Sequence, residues 1–254
     1  MGINTIPEIA EIWIGNGVKK AELPIGKMIV LGILAGVYIG FGATVFILAT
    51  AAGGDPFQSM MAKLIGAGLF PVGLMLVIMC GAELFTGNNL MTLALMDKKI
   101  SAGGMFRNWV VVYIGNLIGS VLLAFLLAKS GLFADAAGER AVAIAASKAS
   151  ISFMPALVRG IFCNILVVLA CWFQAGAKDM IGKIMAIWFP ITMFVFAGFE
   201  HSVANMTYIP LGIFLGADVS LGAFFIGNLL PVTIVNLIGG AVLIPFAYYY
   251  AFRK

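Results

Sequence analysis

Apolar residues run through this chain in blocks of membrane length, not in the short periodic patterns of a water-soluble domain. A helix of about 20 apolar residues crosses a hydrocarbon core. Windows of that kind predict six spans, at roughly 27–52, 63–97, 108–128, 153–175, 182–206 and 221–251. The second window is longer than one straight span needs, which predicts a helix broken near Phe85 to Asn89. The fifth is interrupted at Glu200 to Asn205, while spans one, three, four and six carry no comparable polar gap. Ahead of the first span, segment 6–20 places Ile6, Ile9, Ile12 and Trp13 on one helical face, with Lys19 and Lys20 near its end. That pattern predicts a short amphipathic helix, lying on the membrane interface or packed on the bundle.

Each interruption puts a carboxylate and hydroxyl or amide groups where hydrocarbon is expected: Glu83-Leu-Phe-Thr-Gly-Asn-Asn89, and Gly198-Phe-Glu-His-Ser-Val-Ala-Asn205. A bilayer tolerates such groups only where protein buries them or they line a cavity. Paired interruptions in corresponding halves point to a transport site. The halves match elsewhere too. Phe70-Pro71 precedes Glu83 much as Phe189-Pro190 precedes Glu200, and Asn116-Leu-Ile-Gly119 recurs as Asn236-Leu-Ile-Gly239. Three spans per half require the repeat to be inverted in the membrane. The expected organisation is one channel domain over 1–254, with the amphipathic segment in 1–26, a first repeat in 27–130 and a second in 150–254.

Composition agrees: 62% of residues are hydrophobic and 10% charged, against about 25% charged in soluble domains. The net charge of +4 comes from basic residues scattered at the ends of apolar runs, which excludes the one-faced cluster that nucleic acid needs. In a six-span topology Lys19, Lys20, Lys27, Lys98, Lys99, Arg107, Lys178, Lys183, Arg253 and Lys254 share one side, and Lys63, Lys129, Arg140, Lys148 and Arg159 the other. That excess places both termini in the cytoplasm. Glu8 and Glu11 precede any apolar stretch, unlike a cleaved signal peptide. Cys80, Cys163 and Cys171 fall within apolar runs with no disulfide or metal spacing, so they read as reduced core residues, and no metal or cofactor is expected.

Among the polar groups, His201 is the only histidine and sits in a membrane-length apolar run. Ionisable groups there are functional by default, and a neutral imidazole both donates and accepts a hydrogen bond. Glu83 and Glu200 read as structural, accepting bonds from backbone N–H groups freed where the helices unwind. Thr86, Gly87 and Asn88 supply a hydroxyl, a hinge and an amide at the first break, or mark a simple kink with Thr86 bonded to its own helix. Gly32, Gly36 and Gly40, like Gly115 and Gly119, have the spacing of close helix packing. Gly15-Asn-Gly17 is too short for a phosphate loop. Lys148 lies in a small-residue stretch, Ala145-Ala-Ser-Lys-Ala-Ser150, read as part of a loop over 129–152. A membrane enzyme using Glu83, Glu200 and His201 as acid–base groups would want a nucleophile–base spacing or a cofactor motif, and neither is present. A neutral-solute pore of the aquaporin kind would carry paired Asn-Pro-Ala boxes, also absent.

Gly81-Ala-Glu-Leu-Phe-Thr86 and Gly198-Phe-Glu-His-Ser-Val-Ala-Asn-Met206 closely resemble motifs of the formate/nitrite transporter family, and the resemblance extends over essentially the whole chain. It implies an aquaporin-like, all-α protomer of six transmembrane helices in an inverted repeat, with helices two and five broken. It also implies a homopentamer with one pore per protomer, carrying small inorganic or organic anions of weak acids across the lipid bilayer. By this resemblance His201 is the central pore histidine and Thr86 its partner. Lys148 matches an outer-vestibule lysine and Asn164 a polar residue near the pore. Leu74, Leu84, Phe70, Phe85, Val167 and Phe194 match the apolar constrictions or their neighbours. Glu83-Leu-Phe-Thr-Gly-Asn-Asn89 suggests the hydrosulfide-channel branch, with formate or nitrite as the alternative.

Overall fold

Six helices of the computed structural model, which describes residues 2–253, are long and apolar enough to cross a membrane: Ile25–Ala49, Pro56–Met79, Ala102–Lys129, Phe153–Gly176, Met180–Ala197 and Ala223–Arg253. In element order they are α2 (Ile25–Ala49), α3 and α4 (Pro56–Leu69 and Val72–Met79, hinged at Phe70-Pro71), α6 (Ala102–Lys129), α8 (Phe153–Gly176) and α9 (Met180–Ala197). The sixth combines α11 (Leu230–Leu237) and α12 (Ile244–Arg253) with π-helical turns over Ala223–Leu229 and Ile238–Leu243. Those wide turns end just ahead of Pro231 and Pro245. A proline lacks an N–H, and its ring crowds the carbonyl four residues back, which loosens the preceding ladder.

Four shorter helices complete the chain: α1 (Ile6–Glu22), α5 (Met91–Met96), α7 (Asp135–Ala149) and α10 (Ser202–Phe214). Helix α1 starts in a capping box, with the Thr5 N–H bound by Glu8. It buries Ile9, Trp13, Ile14 and Gly17 against the bundle while Ile6 and Ile12 stay exposed. Of the two placements expected for this segment, the structure has it packed on the bundle. Helix α7 occupies the stretch read as a loop. Its alanine-rich sequence is strongly helix-forming, and Gly138, Ala141, Ile144 and Ala145 give it a buried face at helical spacing.

Small residues hold the bundle together. Gly32 meets Gly115, Gly36 meets Asn116 and Ser120, and Gly119 meets Ile33, so α2 and α6 touch backbone to backbone. The second half repeats this: Gly160 meets Val235 and Asn236, and Gly239 meets Ile161. With no hydrophobic driving force between helices in lipid, such close van der Waals contact is what binds them. The Phe-Pro match between halves is not structural. Phe70 is buried at a hinge, whereas Phe189 is 57% exposed and Pro190 lies inside α9.

Both broken helices fail at a glycine. Gly81 has φ of 80° and Gly198 has φ of 74°, left-handed conformations that other residues adopt at a cost. The first break therefore begins at Cys80, ahead of the expected Phe85, and helical turns resume at Gly87. The second begins at Gly198, and α10 continues well past Asn205 to Phe214.

Candidate functional site

The chain re-enters helix at the protein's centre twice, and there the two breaks meet. Thr86 Oγ1 and His201 Nε2 lie 2.9 Å apart, and both residues are buried. His201 is the N-cap of α10, its Nδ1 accepting from the Ala204 N–H at 3.1 Å. An acceptor Nδ1 leaves the proton of a neutral imidazole on Nε2. Nε2 therefore donates to Thr86 Oγ1, and the Thr86 hydroxyl proton remains free to donate elsewhere.

A cavity reaches this centre from each face. The one on the face that carries both termini has a volume of about 650 Å³ and is floored by Leu74 and Leu84. The opposite one, of about 290 Å³, is floored by Phe70, Phe194 and His201. They share no lining residue, so side chains close the path between them. The Phe70 and Phe194 rings meet edge-on at 5.6 Å, and Phe194 lies 5.8 Å from the imidazole. Phe85 and Val167 are buried but line neither cavity, and Phe85 instead packs edge-on against Tyr113 at 4.9 Å.

Each cavity is basic around one carboxylate. Lys19, Lys20, Lys178 and Lys183 surround Glu83, while Lys63, Arg140, Lys148 and Arg159 surround Glu200. Lys20 Nζ binds Glu83 at 2.6 Å, and Lys148 Nζ binds both oxygens of Glu200 at 3.0 Å. Paired in this way, neither carboxylate acts as a bare negative charge against an anion. Lys148, read from sequence as a loop residue, is a helical residue of α7 aimed inward.

The expectation for the glutamates needs correction. Glu83 and Glu200 side chains do not take the freed backbone N–H groups. They accept instead from Asn88 Nδ2 at 2.7 Å and Asn205 Nδ2 at 2.8 Å, across each break, as well as from the lysines. Two asparagines unremarked as site residues serve the backbone. Asn116 Nδ2 donates to the carbonyls of Gly32 and Glu83 while its Oδ1 accepts from the Phe85 N–H. Asn236 does the same for Gly160, Glu200 and the Ser202 N–H. A further pair, Asn108 and Asn228, binds Asn88 and Asn205 and also the backbone carbonyls of Lys20 and Lys148. Spans three and six thus carry buried polar residues despite unbroken hydropathy. The recurring Asn-Leu-Ile-Gly motif was the signal for Asn116 and Asn236. Lys20 was visible as the end of an amphipathic helix and as one of the basic residues of the terminal face, not as the partner of Glu83.

Asn164 is also interior. Its Nδ2 donates to Asn89 Oδ1 at 2.7 Å and to the Asn236 carbonyl at 2.8 Å, and it lines neither cavity. No three potential metal ligands cluster among the described residues.

Known proteins match this arrangement along nearly its whole length. The family model described as formate/nitrite transporter matches residues 7–250. A probable formate transporter of Methanothermobacter thermautotrophicus is 44% identical, the alignment covering 92% of each chain. The solved structure of an FNT family ion channel superposes with a TM-score of 0.86 at 32% identity, covering 96% of this chain and 98% of that one. A pentameric formate channel with formate bound gives a TM-score of 0.80 at 33% identity, covering 91% and 98%. With its six spans, two glycine-broken helices and central histidine, this chain is a multi-pass membrane transport protein, not an enzyme, and belongs to the formate/nitrite transporter family.

Proposed function

We propose that the protein conducts formate and similar weak-acid anions through a pore in each subunit of a homopentamer, with both termini in the cytoplasm. The observation that carries this is the Thr86–His201 pair at 2.9 Å between two basic cavities. Relatives named for formate support formate over the hydrosulfide suggested by the second-span motif. The pentamer rests on the likeness to the pentameric formate channel. The orientation rests on the excess of Lys and Arg on the terminal face, where Lys254 lies outside the described residues.

The barrier is electrostatic. Moving an isolated ion out of water is prohibitively costly unless it is compensated or neutralised. The lysine- and arginine-lined cavities concentrate anions at either floor. Leu74 and Leu84 on one side, and Phe70 and Phe194 on the other, exclude water from the centre. There the free Thr86 O–H donates to the anion. The N-terminus of α10, carrying the positive end of its dipole, adds favourable charge. Because Nδ1 is engaged as a cap, turning His201 into an imidazolium sacrifices the Ala204 bond. The geometry therefore favours hydrogen bonding through Thr86 over proton donation by the histidine.

Purified protein in proteoliposomes tests this, with formate, nitrite, hydrosulfide, chloride and glycerol compared with and without a pH gradient. Formate flux above chloride and glycerol is expected, and His201→Phe should abolish its selectivity. Preferred hydrosulfide would restore the other branch, and glycerol flux without anion flux would sink the reading.

A further inference from the structure

Helix α10 presents more to the opposite-face cavity than its N-cap. His201, Ala204, Asn205 and Tyr208 follow one another at helical spacing on a single stripe, and all four line that cavity. Tyr208 is the last of them, and its environment is unusual for a tyrosine. The residue is 5% exposed. Phe46 packs on its ring edge-on at 6.3 Å, and the Lys148 ammonium sits 5.3 Å from the ring centroid. These contacts fix the ring, and phenylalanine would satisfy every one of them.

The hydroxyl is what they leave unexplained. Buried tyrosines normally place their O–H on a partner, as Tyr113 does on Thr233 at 2.8 Å. Tyr208 makes no such bond among the described residues, and its oxygen is not among the sealed polar atoms that lack partners. It therefore opens into the cavity. Lys148 has capacity there as well. Two of its three donors serve Glu200, which leaves one. The equivalent place on the terminal face is different in kind, because the residue three beyond Asn88 is Met91, as Tyr208 is three beyond Asn205. Met91 is buried and does not line the terminal-face cavity.

We infer that the Tyr208 hydroxyl and the Lys148 ammonium form an oxyanion subsite in the opposite-face cavity, which holds a two-oxygen anion such as formate before it reaches His201. One carboxylate oxygen accepts from the phenol and the other from the ammonium. A hydrosulfide ion has a single acceptor atom and cannot bridge the phenol and the ammonium as two carboxylate oxygens can, so it gains less from the phenol. The subsite deepens the function proposed above and rests on it for its ligand.

Tyr208→Phe keeps the ring packing and removes only the donor. A hydrogen bond to a charged group is worth roughly tenfold in affinity. Uptake into proteoliposomes should therefore show a half-saturating formate concentration about tenfold higher in the variant, with maximal flux and hydrosulfide uptake unchanged. Unchanged formate saturation, or equal shifts for formate and hydrosulfide, overturns the subsite. Thermal unfolding of the detergent-purified protein, titrated with sodium formate against sodium chloride, separates this from the wider reading. Formate-specific stabilisation that needs about tenfold more formate in Tyr208→Phe supports the subsite even if wild-type protein carries no formate. No Tyr208-dependent difference in either assay rejects it.

Discussion

The two halves of the molecule agree almost residue for residue in their scaffolding and disagree where they meet. Gly81 pairs with Gly198, Glu83 with Glu200, Asn88 with Asn205, Asn116 with Asn236, and Lys20 with Lys148, each making the same contacts in its own half. In that register His201 corresponds to Leu84 and Thr86 to Val203. The central hydrogen bond is thus built from two positions whose counterparts are apolar. Repetition supplies two similar basic mouths and two similarly braced breaks. A symmetric centre would present either two histidines or none, and the single Nε2–Oγ1 bond exists because the symmetry fails there.

The largest expected effect tests the shared scaffolding. Asn116→Ala strands the Glu83 carbonyl and the Phe85 N–H, and Asn236→Ala the Glu200 carbonyl and the Ser202 N–H. In each case two buried backbone groups at about 1–3 kcal/mol apiece should cost about 4 kcal/mol. Both variants should unfold or lose their oligomer at similar temperatures when followed by size-exclusion chromatography after heating. A large loss in only one half would break the equivalence.

Next come the ion pairs. Lys20→Met and Lys148→Met leave Glu83 and Glu200 as poorly compensated carboxylates, at a cost of about 3 kcal/mol each. A second change, Glu83→Gln or Glu200→Gln in the same chain, should restore most of the lost thermal stability. Failure of that rescue would show that the lysines matter for packing rather than charge.

The asymmetry of the centre is sharpened by a pair of substitutions. Thr86→Val removes the free donor and should lower formate flux by about tenfold, corresponding to about 1.4 kcal/mol. Val203→Thr, at the counterpart position, should leave flux within about twofold. Equal losses from both would mean that the site tolerates no change rather than that it requires Thr86.

The smallest effect concerns a clasp found on the terminal face. Arg253 binds Asp97 at 3.1 Å and also pairs with Glu11, tying α12 to α1. The guanidinium holds the Asp97 carboxyl below the usual carboxylate range. A depressed carboxylate stabilises the fold above its unfolded pKa, about 3.9, and loses that contribution as pH falls through the lower folded value. At neutral pH the clasp is intact, and its loss should begin below about pH 4. Asp97→Asn at pH 7 should reproduce the loss, at under about 1 kcal/mol, as faster hydrogen exchange in α1. Unchanged exchange would remove the clasp as a difference between the faces.

Much of this is legible in the chain alone. Long apolar runs define spans directly, because a bilayer admits only backbone that satisfies its own hydrogen bonds. For the same reason the polar letters at Glu83–Asn89 and Glu200–Asn205 exposed both breaks and led to His201 and Thr86. The helical register of Gly138, Ala141, Ile144 and Ala145 made α7 readable too, but hydropathy alone passed over a segment too polar to span. Asn116 and Asn236 are single polar positions flanked on both sides by apolar residues, so they leave no gap in a window average.

Chain order by itself determined the class of protein, the number of spans, the inverted repeat and the residues at its two breaks, since these follow from local composition and spacing. Only the tertiary structure decided which groups partner which. Lys20 meets Glu83, Asn116 reaches across to Gly32, and Asn164 reaches Asn89 from 75 residues away. Pairings of that kind depend on directions in space, and a hydrogen bond made across two helices leaves no periodicity along either one.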